Sequence, residues 1–284
     1  NKKVAFCSLG CKVNQYETNA MAQKFVANGY EIVEFDEYAD VYIVNTCTVT
    51  NIADRKSRQM LRRAKEINKD ATLVACGCYA QVAKEELAKI PEIDLVLGNN
   101  EKVEIVKYVE EYLNNHIDNI KLDDVMYSKE FSDFGDVTYT EKTRAVIKIQ
   151  DGCDRFCSYC IIPYARGRVR SRKPESILSE ITQIASKGIK EVVITGIHIA
   201  SYGKDFAMSK NSKLENYRLI DLLEEINKKL DEEIKIRKAM QKEQEQKTKA
   251  ILQKLSKLQE YNEINDMRAI FMSKQIQNIL EKLY

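Results

Sequence analysis

The chain has 284 residues, 45 Lys+Arg against 43 Asp+Glu, 44% hydrophobic and 31% charged residues, and a net charge near +2. That length suggests about two domains. The charge balance excludes a basic or acidic tail protein, and the apolar share excludes wholesale disorder. No stretch approaches the roughly 18–20 apolar residues of a membrane span. Residues 1–6 run into a polar loop by Ser8 without a secretory leader. The first residue is not Met, so a few residues are expected to precede it. Eight cysteines without a leader read as a cytoplasmic, reducing setting, where clustered cysteines signal metal or redox chemistry more than disulfides.

Val4-Ala5-Phe6-Cys7 reads as a strand. The polar turn Gly10-Cys11 leads into a helix over about 16–28, closed by Asn28-Gly29. A strand is expected at 30–35, and Val41-Tyr42-Ile43-Val44 has the short apolar run of a buried parallel strand. A basic helix over about 52–67 follows, then a strand at 72–75, a helix near 80–89, a strand at 94–97 and a helix over 101–114. Strands alternating with helices predict a doubly wound parallel α/β domain over residues 1–115. Residues 116–143 are acidic and irregular and read as a linker. The next strand is 144–149; a loop rich in Cys and Arg, a helix from Pro174 to about Lys187 and a strand at 191–196 complete a β-loop-α-β unit. All 10 Gly and all 3 Pro lie at or before Gly203, so the rest reads as uninterrupted helix.

Cys153, Cys157 and Cys160 form a C-x3-C-x2-C run directly after a strand. Thiolates suit iron–sulfur clusters or zinc. Three of them on a four-iron cube leave one iron open; the bare spacing also allows a zinc site lacking its fourth ligand, or three buried thiols. Cys11, Cys47 and Cys78 form a second set, each just after a predicted strand. Carboxyl ends of parallel strands share one edge, where ligands bind, so these three are expected to converge; ordinary buried thiols are the alternative. Cys7 and Cys76, in or at the end of strands, read as packing residues.

With Tyr159 just before Cys160, the later run resembles the C-x3-C-x-aromatic-C signature of radical S-adenosylmethionine (SAM) enzymes. The stretches 8–17, 45–47 and 77–81 resemble the amino-terminal domain of the methylthiotransferases, and residues 149–167 resemble that family's radical-SAM loop. Residues 148–150 and 167–172 look most like the branch acting on N6-threonylcarbamoyladenosine at tRNA position 37. The resemblance covers about residues 3–230. It implies the first part of a radical-SAM βα barrel over 144–230 and two [4Fe–4S] clusters. Cys153, Cys157 and Cys160 would hold the one that binds and cleaves SAM, and Cys11, Cys47 and Cys78 the one that carries sulfur. Tyr159, Thr195 and Gly196 carry over as SAM neighbours, while His198 reads as structural. The implied reaction transfers CH3–S to C2 of the adenine, with a reductant supplying electrons and two SAM molecules, one for the methyl group and one for the radical. The isopentenyladenosine branch, a ribosomal-protein aspartate methylthiotransferase and an inactive iron–sulfur or helical remnant remain alternatives.

Arg166, Arg168, Arg170, Arg172 and Lys173 crowd the segment after the cluster loop and are expected to meet tRNA phosphates. The helix carrying Arg55, Lys56, Arg58, Arg62, Arg63 and Lys65 adds a second basic face. Beyond about Leu230 the family pattern stops. Residues 231–284 read as a charged helical tail, with Ile251, Leu255, Leu258, Ile264, Met267 and Phe271 at helical spacing. A full barrel needs more chain than follows Arg144, so a truncated, frame-shifted or decayed product is expected. Oligomeric state is not legible.

Overall fold

The computed structural model describes all residues except 49, 116–118, 139–143, 209–212 and 282–284. It divides into two units, residues 1–229 and 230–284.

The first unit begins with β1 (Lys3–Ser8), α1 (Lys12–Ala27), β2 (Glu31–Val33), β3 (Val41–Thr46), α2 (Asn51–Ile67), β4 (Thr72–Gly77), α3 (Cys78–Val82), α4 (Lys84–Leu87), β5 (Leu95–Leu97), α5 (Ile105–Asn115) and β6 (Ile120–Lys121). The strands form one sheet in the order β2-β1-β3-β4-β5-β6. Every neighbouring pair is parallel. β3 and β4 are buried along their whole length, as strands covered on both faces must be. Tyr16, Met21 and Phe25 of α1, with Ile105 and Val109 of α5, cover one face against Val4, Ile43 and Val74. Leu61 and Ala64 of α2, with Tyr79 and Leu87, cover the other against Ala5, Tyr42, Val44 and Leu73. This is the doubly wound arrangement, and the strand order reverses between β1 and β3. In such sheets the switch point, at the carboxyl ends of the strands, is where ligands bind.

Local differences from the expected elements have physical causes. α1 starts one turn earlier than expected because Cys11 is extended and precedes it without a side-chain cap, so no capping residue marks the start. The helix expected over 80–89 is two short ones, α3 and α4, parted at Ala83, whose φ of −116° is not helical. α2 is capped as its sequence requires, Thr50 Oγ1 accepting the Ala53 N–H at 3.1 Å.

Residues 116–143, expected to be a linker, are instead built into the unit where they are described. β6 pairs with β5, and Phe134 and Val137 enter the sheet core. A linker composition conceals this because the two apolar anchors sit among acidic residues, one of which bonds inward, Asp133 Oδ2 accepting from Ser176 Oγ at 2.6 Å and from Arg172 Nε at 3.1 Å. Residues 116–118 and 139–143 lie outside the described residues.

A second, three-stranded sheet follows: β7 (Ala145–Asp151), α6 (Ile162–Arg166), β8 (Arg170–Ser171), α7 (Pro174–Ser186) and β9 (Val192–Gly196). Its order is β8-β7-β9, with β9 parallel and β8 antiparallel to β7. The β7–α7–β9 crossover is the expected β-loop-α-β unit. The short β8 lies in what reads as loop, because two residues, Arg170 and Ser171, carry no strand pattern.

α8 runs over Leu219–Glu281. Its first turns bury Leu222 and Ile226 in the first unit. The second unit is the remainder of this helix, exposed along residues 235–250. Of the apolar stripe expected there, Met267 is exposed and the other side chains lie outside the described residues. No helix among the described residues is long and apolar enough to cross a membrane.

Candidate functional site

Cys11, Cys47 and Cys78 follow β1, β3 and β4, three neighbouring strands of the first sheet. Thr46 and Gly77 are paired across β3 and β4, so Cys47 and Cys78 leave adjacent strands in the same register, about 4.8 Å apart along the hydrogen-bonding direction. Cys11 and Cys47 flank the switch point. Cys47 and Cys78 are buried and Cys11 is exposed.

The loops bearing them are tied to one another. Asn14 Nδ2 donates to the carbonyls of Leu9, at 2.7 Å, and Thr46, at 3.0 Å, joining the first loop to the second. Thr46 Oγ1 donates to the Cys76 carbonyl at 2.6 Å and accepts from the Ala80 N–H at 3.1 Å, joining the second to the third. Gly10 has φ +94°, and a Cβ there would stand 2.5 Å from Cys47 Sγ. The first loop therefore passes directly against the Cys47 thiol, which only glycine allows.

The second cysteine set occupies the loop between β7 and α6. Cys157 is exposed, and Cys153 and Cys160 are half-buried. The loop is anchored at its ends. Gly152, at φ +71°, lies so close to the Arg168 carbonyl that a Cβ would overlap it. The Cys153 N–H donates to the Gly167 carbonyl at 3.0 Å, and the Cys160 N–H to that of Cys157 at 2.9 Å. Among the described residues, Phe156, at φ +46°, is the non-glycine residue held in the left-handed region, an arrangement that costs about 1–3 kcal/mol and clusters at functional loops. Among the described residues, no three His, Cys, Asp or Glu side chains are grouped as a closed metal site.

Between the two sets lies a buried ionic cluster that the sequence reading missed. Arg166, fully buried in α6, donates from Nη1 to Glu17 Oε1 at 2.8 Å and to both Asp151 oxygens at 3.2 Å. Its Nη2 reaches Asn14 Oδ1 at 2.5 Å, and its Nε donates to Cys78 Sγ at 3.2 Å. Lys148 Nζ bonds Glu17 at 2.7 Å and Asp151 at 2.5 Å. Lys102 pairs with the other Glu17 oxygen, and Arg170 lies 3.8 Å from Asp151. Burial alone would raise the Glu17 carboxyl, but Arg166, Lys102 and Lys148 hold it well below the usual carboxylate range. Asp151 behaves alike: burial would raise it, and Lys148, Arg166 and Arg170 override burial and lower it. Four buried cations thus face two buried carboxylates, an excess of two positive charges, and one of the four, Arg166, also meets Cys78. A polar pair, Asn14 and Glu17, on the α1 face that carries Val13, Tyr16, Ala20 and Met21 was the available signal, as was Lys148 inside an apolar strand.

These bonds correct the expectation that the arginine run faces tRNA. Arg166, Arg170 and Arg172 are buried. Arg172 pairs with Glu180 and with Asp133 at 3.0 Å, and meets Tyr16 Oη at 3.2 Å. Three of the four arginines turn inward onto buried carboxylates, which a count of charges cannot reveal. Arg168 alone of the four is exposed, 5.0 Å from the Phe156 ring centre. Lys173 follows at an exposed position. On α2, Arg55, Lys56, Arg62 and Arg63 are exposed, Arg63 pairing with Asp36 at 2.9 Å. Arg58 bonds Tyr79 Oη at 2.6 Å, and Lys65 bonds Asp94 at 2.8 Å.

Of the expected SAM neighbours, Tyr159 is 91% exposed beside Cys160. Thr195 and Gly196 end β9, half-buried, with Gly196 against the Gln150 side chain. His198 is held structurally, its N–H on Gln150 Oε1 at 2.7 Å and its Nδ1 2.6 Å from Ser201 Oγ. Cys76 is fully buried in the sheet core, and Cys7 packs against the opposite face. Burial pushes the Cys7 thiol up to about 11 and the Cys76 thiol up to about 12.

Residues 3–98 match the Uncharacterized protein family UPF0004, and residues 147–262 match the Radical SAM superfamily. The superfamily match continues past residue 230, where the sequence pattern was expected to stop. It implies a [4Fe–4S] cluster and SAM. The chain is 44% identical over 238 residues to the threonylcarbamoyladenosine tRNA methylthiotransferase MtaB of Aquifex aeolicus, covering 82% of this chain and 58% of that protein. It is 41% identical over 228 residues to MtaB of Bacillus subtilis, covering 80% and 49%. It is 37% identical over 230 residues to the ribosomal protein uS12 methylthiotransferase RimO of Desulfitobacterium hafniense, covering 80% and 50%. The chain spans about half the length of these curated relatives. An amino-terminal doubly wound domain with three strand-end cysteines, a radical-SAM segment with three more, and these identities together make this chain a relative of the threonylcarbamoyladenosine tRNA methylthiotransferases.

Proposed function

We propose that the chain is part of, or constitutes, a radical-SAM enzyme that methylthiolates C2 of N6-threonylcarbamoyladenosine at position 37 of tRNA. The observation that carries this reading is the direct tie between the two cysteine sets: Arg166, six residues after Cys160, bonds Cys78 Sγ, while its partner Asp151 lies two residues before Cys153. Such an enzyme must hold two clusters toward one pocket, and a buried ionic bridge between the two cysteine loops supports that reading.

The chemistry of the donor sets suits two clusters, since each offers three soft thiol ligands. The excess of two buried positive charges in the cluster that Arg166 ties to Cys78 calls for a nearby anion, since uncompensated buried charge is costly. Thiolates holding an iron–sulfur cluster supply that charge. Cys153, Cys157 and Cys160 would hold the SAM-binding cluster, and Cys11, Cys47 and Cys78 the second. When bound, the clusters and SAM supply the one-electron chemistry that an unactivated aromatic C–H requires, with electrons from an external reductant.

The protein's own part is positional. Gly152 and Gly167 fix the base of the radical-SAM loop, and Gly10 lets the first loop close on Cys47. Tyr159, Thr195 and Gly196 border the SAM-side loop. Arg168, with Arg55, Lys56 and Arg62 of α2, offers exposed cations to RNA phosphates. A base in a single-stranded RNA loop can be unstacked and presented.

The test is nucleoside mass spectrometry of tRNA from cells lacking the gene. The reading expects 2-methylthio-N6-threonylcarbamoyladenosine to disappear and to return with the wild-type gene but not with Cys78→Ala or Cys157→Ala. Unchanged methylthiolation would overturn it, and loss of the isopentenyl derivative instead would move the chain to that branch.

A further inference from the structure

We infer that Arg166 tunes the second cluster: its guanidinium donates to the Cys78 sulfur and raises the reduction potential of whatever iron–sulfur cluster that sulfur holds. The inference rests on the proposed placement of a cluster on Cys11, Cys47 and Cys78. It goes further by assigning one side chain a measurable electronic role.

The geometry is specific. Nε, the single-hydrogen nitrogen of the guanidinium, points at Sγ at 3.2 Å, while Nη1 and Nη2 are taken by Glu17, Asp151 and Asn14. The fork is therefore fixed in orientation by five bonds to three side chains, and among the described residues Cys78 Sγ is the acceptor that the Nε–H meets. Arginine keeps its proton at every accessible pH, so the donor and its charge are permanent. The group is fully buried, so solvent does not screen it. Adding one electron to a cluster adds one negative charge. A fixed cation donating to a ligand sulfur stabilises that reduced form, and hydrogen bonds to sulfur are among the determinants of cluster potential.

A merely structural Arg166 would hold Glu17 and Asp151 in place equally well whichever way Nε pointed. Lysine in its place would keep the charge but lose the planar fork, and with it the directed Nε–H. The electronic role therefore separates from the structural one in experiment.

The experiment uses the full chain with Cys153→Ala, Cys157→Ala and Cys160→Ala, which leaves the second site alone. After anaerobic reconstitution, iron and sulfide are counted and the potential is measured by titration with dithionite, followed by electron paramagnetic resonance. In this background Arg166→Lys should retain the cluster and shift its potential lower, and Arg166→Gln should shift it further. In parallel, protein grown on 15N-arginine and otherwise unchanged should show a 15N hyperfine coupling to the reduced cluster, which needs no substitution at Arg166 and so does not depend on a variant folding. Failure of the background protein to bind iron would overturn the cluster placement, and the inference with it. A bound cluster with no arginine coupling, or with the same potential in Arg166→Lys, would overturn the inference and leave the placement standing.

Discussion

Replacing Glu17 with Gln perturbs the ionic cluster at its centre. Its two oxygens meet Lys102, Lys148 and Arg166, all of them buried to within 1% of complete. The side chain keeps its shape in the variant, so packing is preserved and the charge is what changes. The excess of positive charge rises from two to three, and the new amide places N–H donors against cations. Breaking a buried pair by removing one partner costs about 3–5 kcal/mol. Full burial means that no discount for solvent screening applies. Against a domain stability of about 5–15 kcal/mol, that is a large share. With a denaturant dependence of about 3 kcal/mol per molar urea, the unfolding midpoint falls by about 1 M or more. The assay is equilibrium urea unfolding followed by far-ultraviolet circular dichroism, with the double variant Glu17→Gln/Lys102→Met alongside. Removing the cation together with the carboxylate restores the charge balance, so the pair should couple by about 1–3 kcal/mol. A single variant costing under about 1 kcal/mol, or a double variant no more stable than Glu17→Gln, would refute the argument that uncompensated charge is what the cluster controls.

Three further outcomes follow from the same geometry. Gly10→Ala should lower iron bound after reconstitution, because its Cβ would meet Cys47 Sγ at 2.5 Å on a backbone at φ +94°; unchanged iron would show that this loop does not set the Cys47 position. Arg168→Ala should flatten the salt dependence of tRNA binding by about one unit of slope, whereas Arg172→Ala should leave the slope alone and lower the urea midpoint; the reverse pattern would return the buried arginines to the RNA surface. Glu17 and Asp151 are held below their ordinary values of 4.5 and 3.8. The stability they contribute is present above those ordinary values and is lost as pH falls through the lower folded ones. Urea midpoints should therefore drop below about pH 4 in the wild type and drop less in Glu17→Gln; parallel curves would contradict the assignment.

The doubly wound sheet was legible because its strands are apolar runs separated by helical periodicity, and the cysteines mark the strand ends. The positions of Cys11, Cys47 and Cys78 on three neighbouring strands follow from that pattern and the strand order. The ionic cluster was not legible, since it joins residues 17, 102, 148, 151, 166 and 170, which no local pattern relates. The arginine run misled for a related reason. A charge run is read as surface unless something says which side chains turn inward, and here the partners of Arg172, namely Glu180, Asp133 and Tyr16, lie on α7, on a stretch read as linker and on α1. Phe134 and Val137 were hidden likewise: two apolar residues within an acidic stretch carry no periodicity, yet both enter the core.

The central claim is that one chain carries two cluster sites joined by a buried ionic bridge. Iron and sulfide analysis with Mössbauer spectroscopy on the anaerobically reconstituted chain tests it most directly. The account predicts two [4Fe–4S] clusters, about eight irons per chain. Alanine at Cys153, Cys157 and Cys160, or at Cys11, Cys47 and Cys78, should remove one cluster and leave the other. A single cluster that survives loss of the first set but vanishes with the second, its converse, or zinc in place of iron, would contradict it.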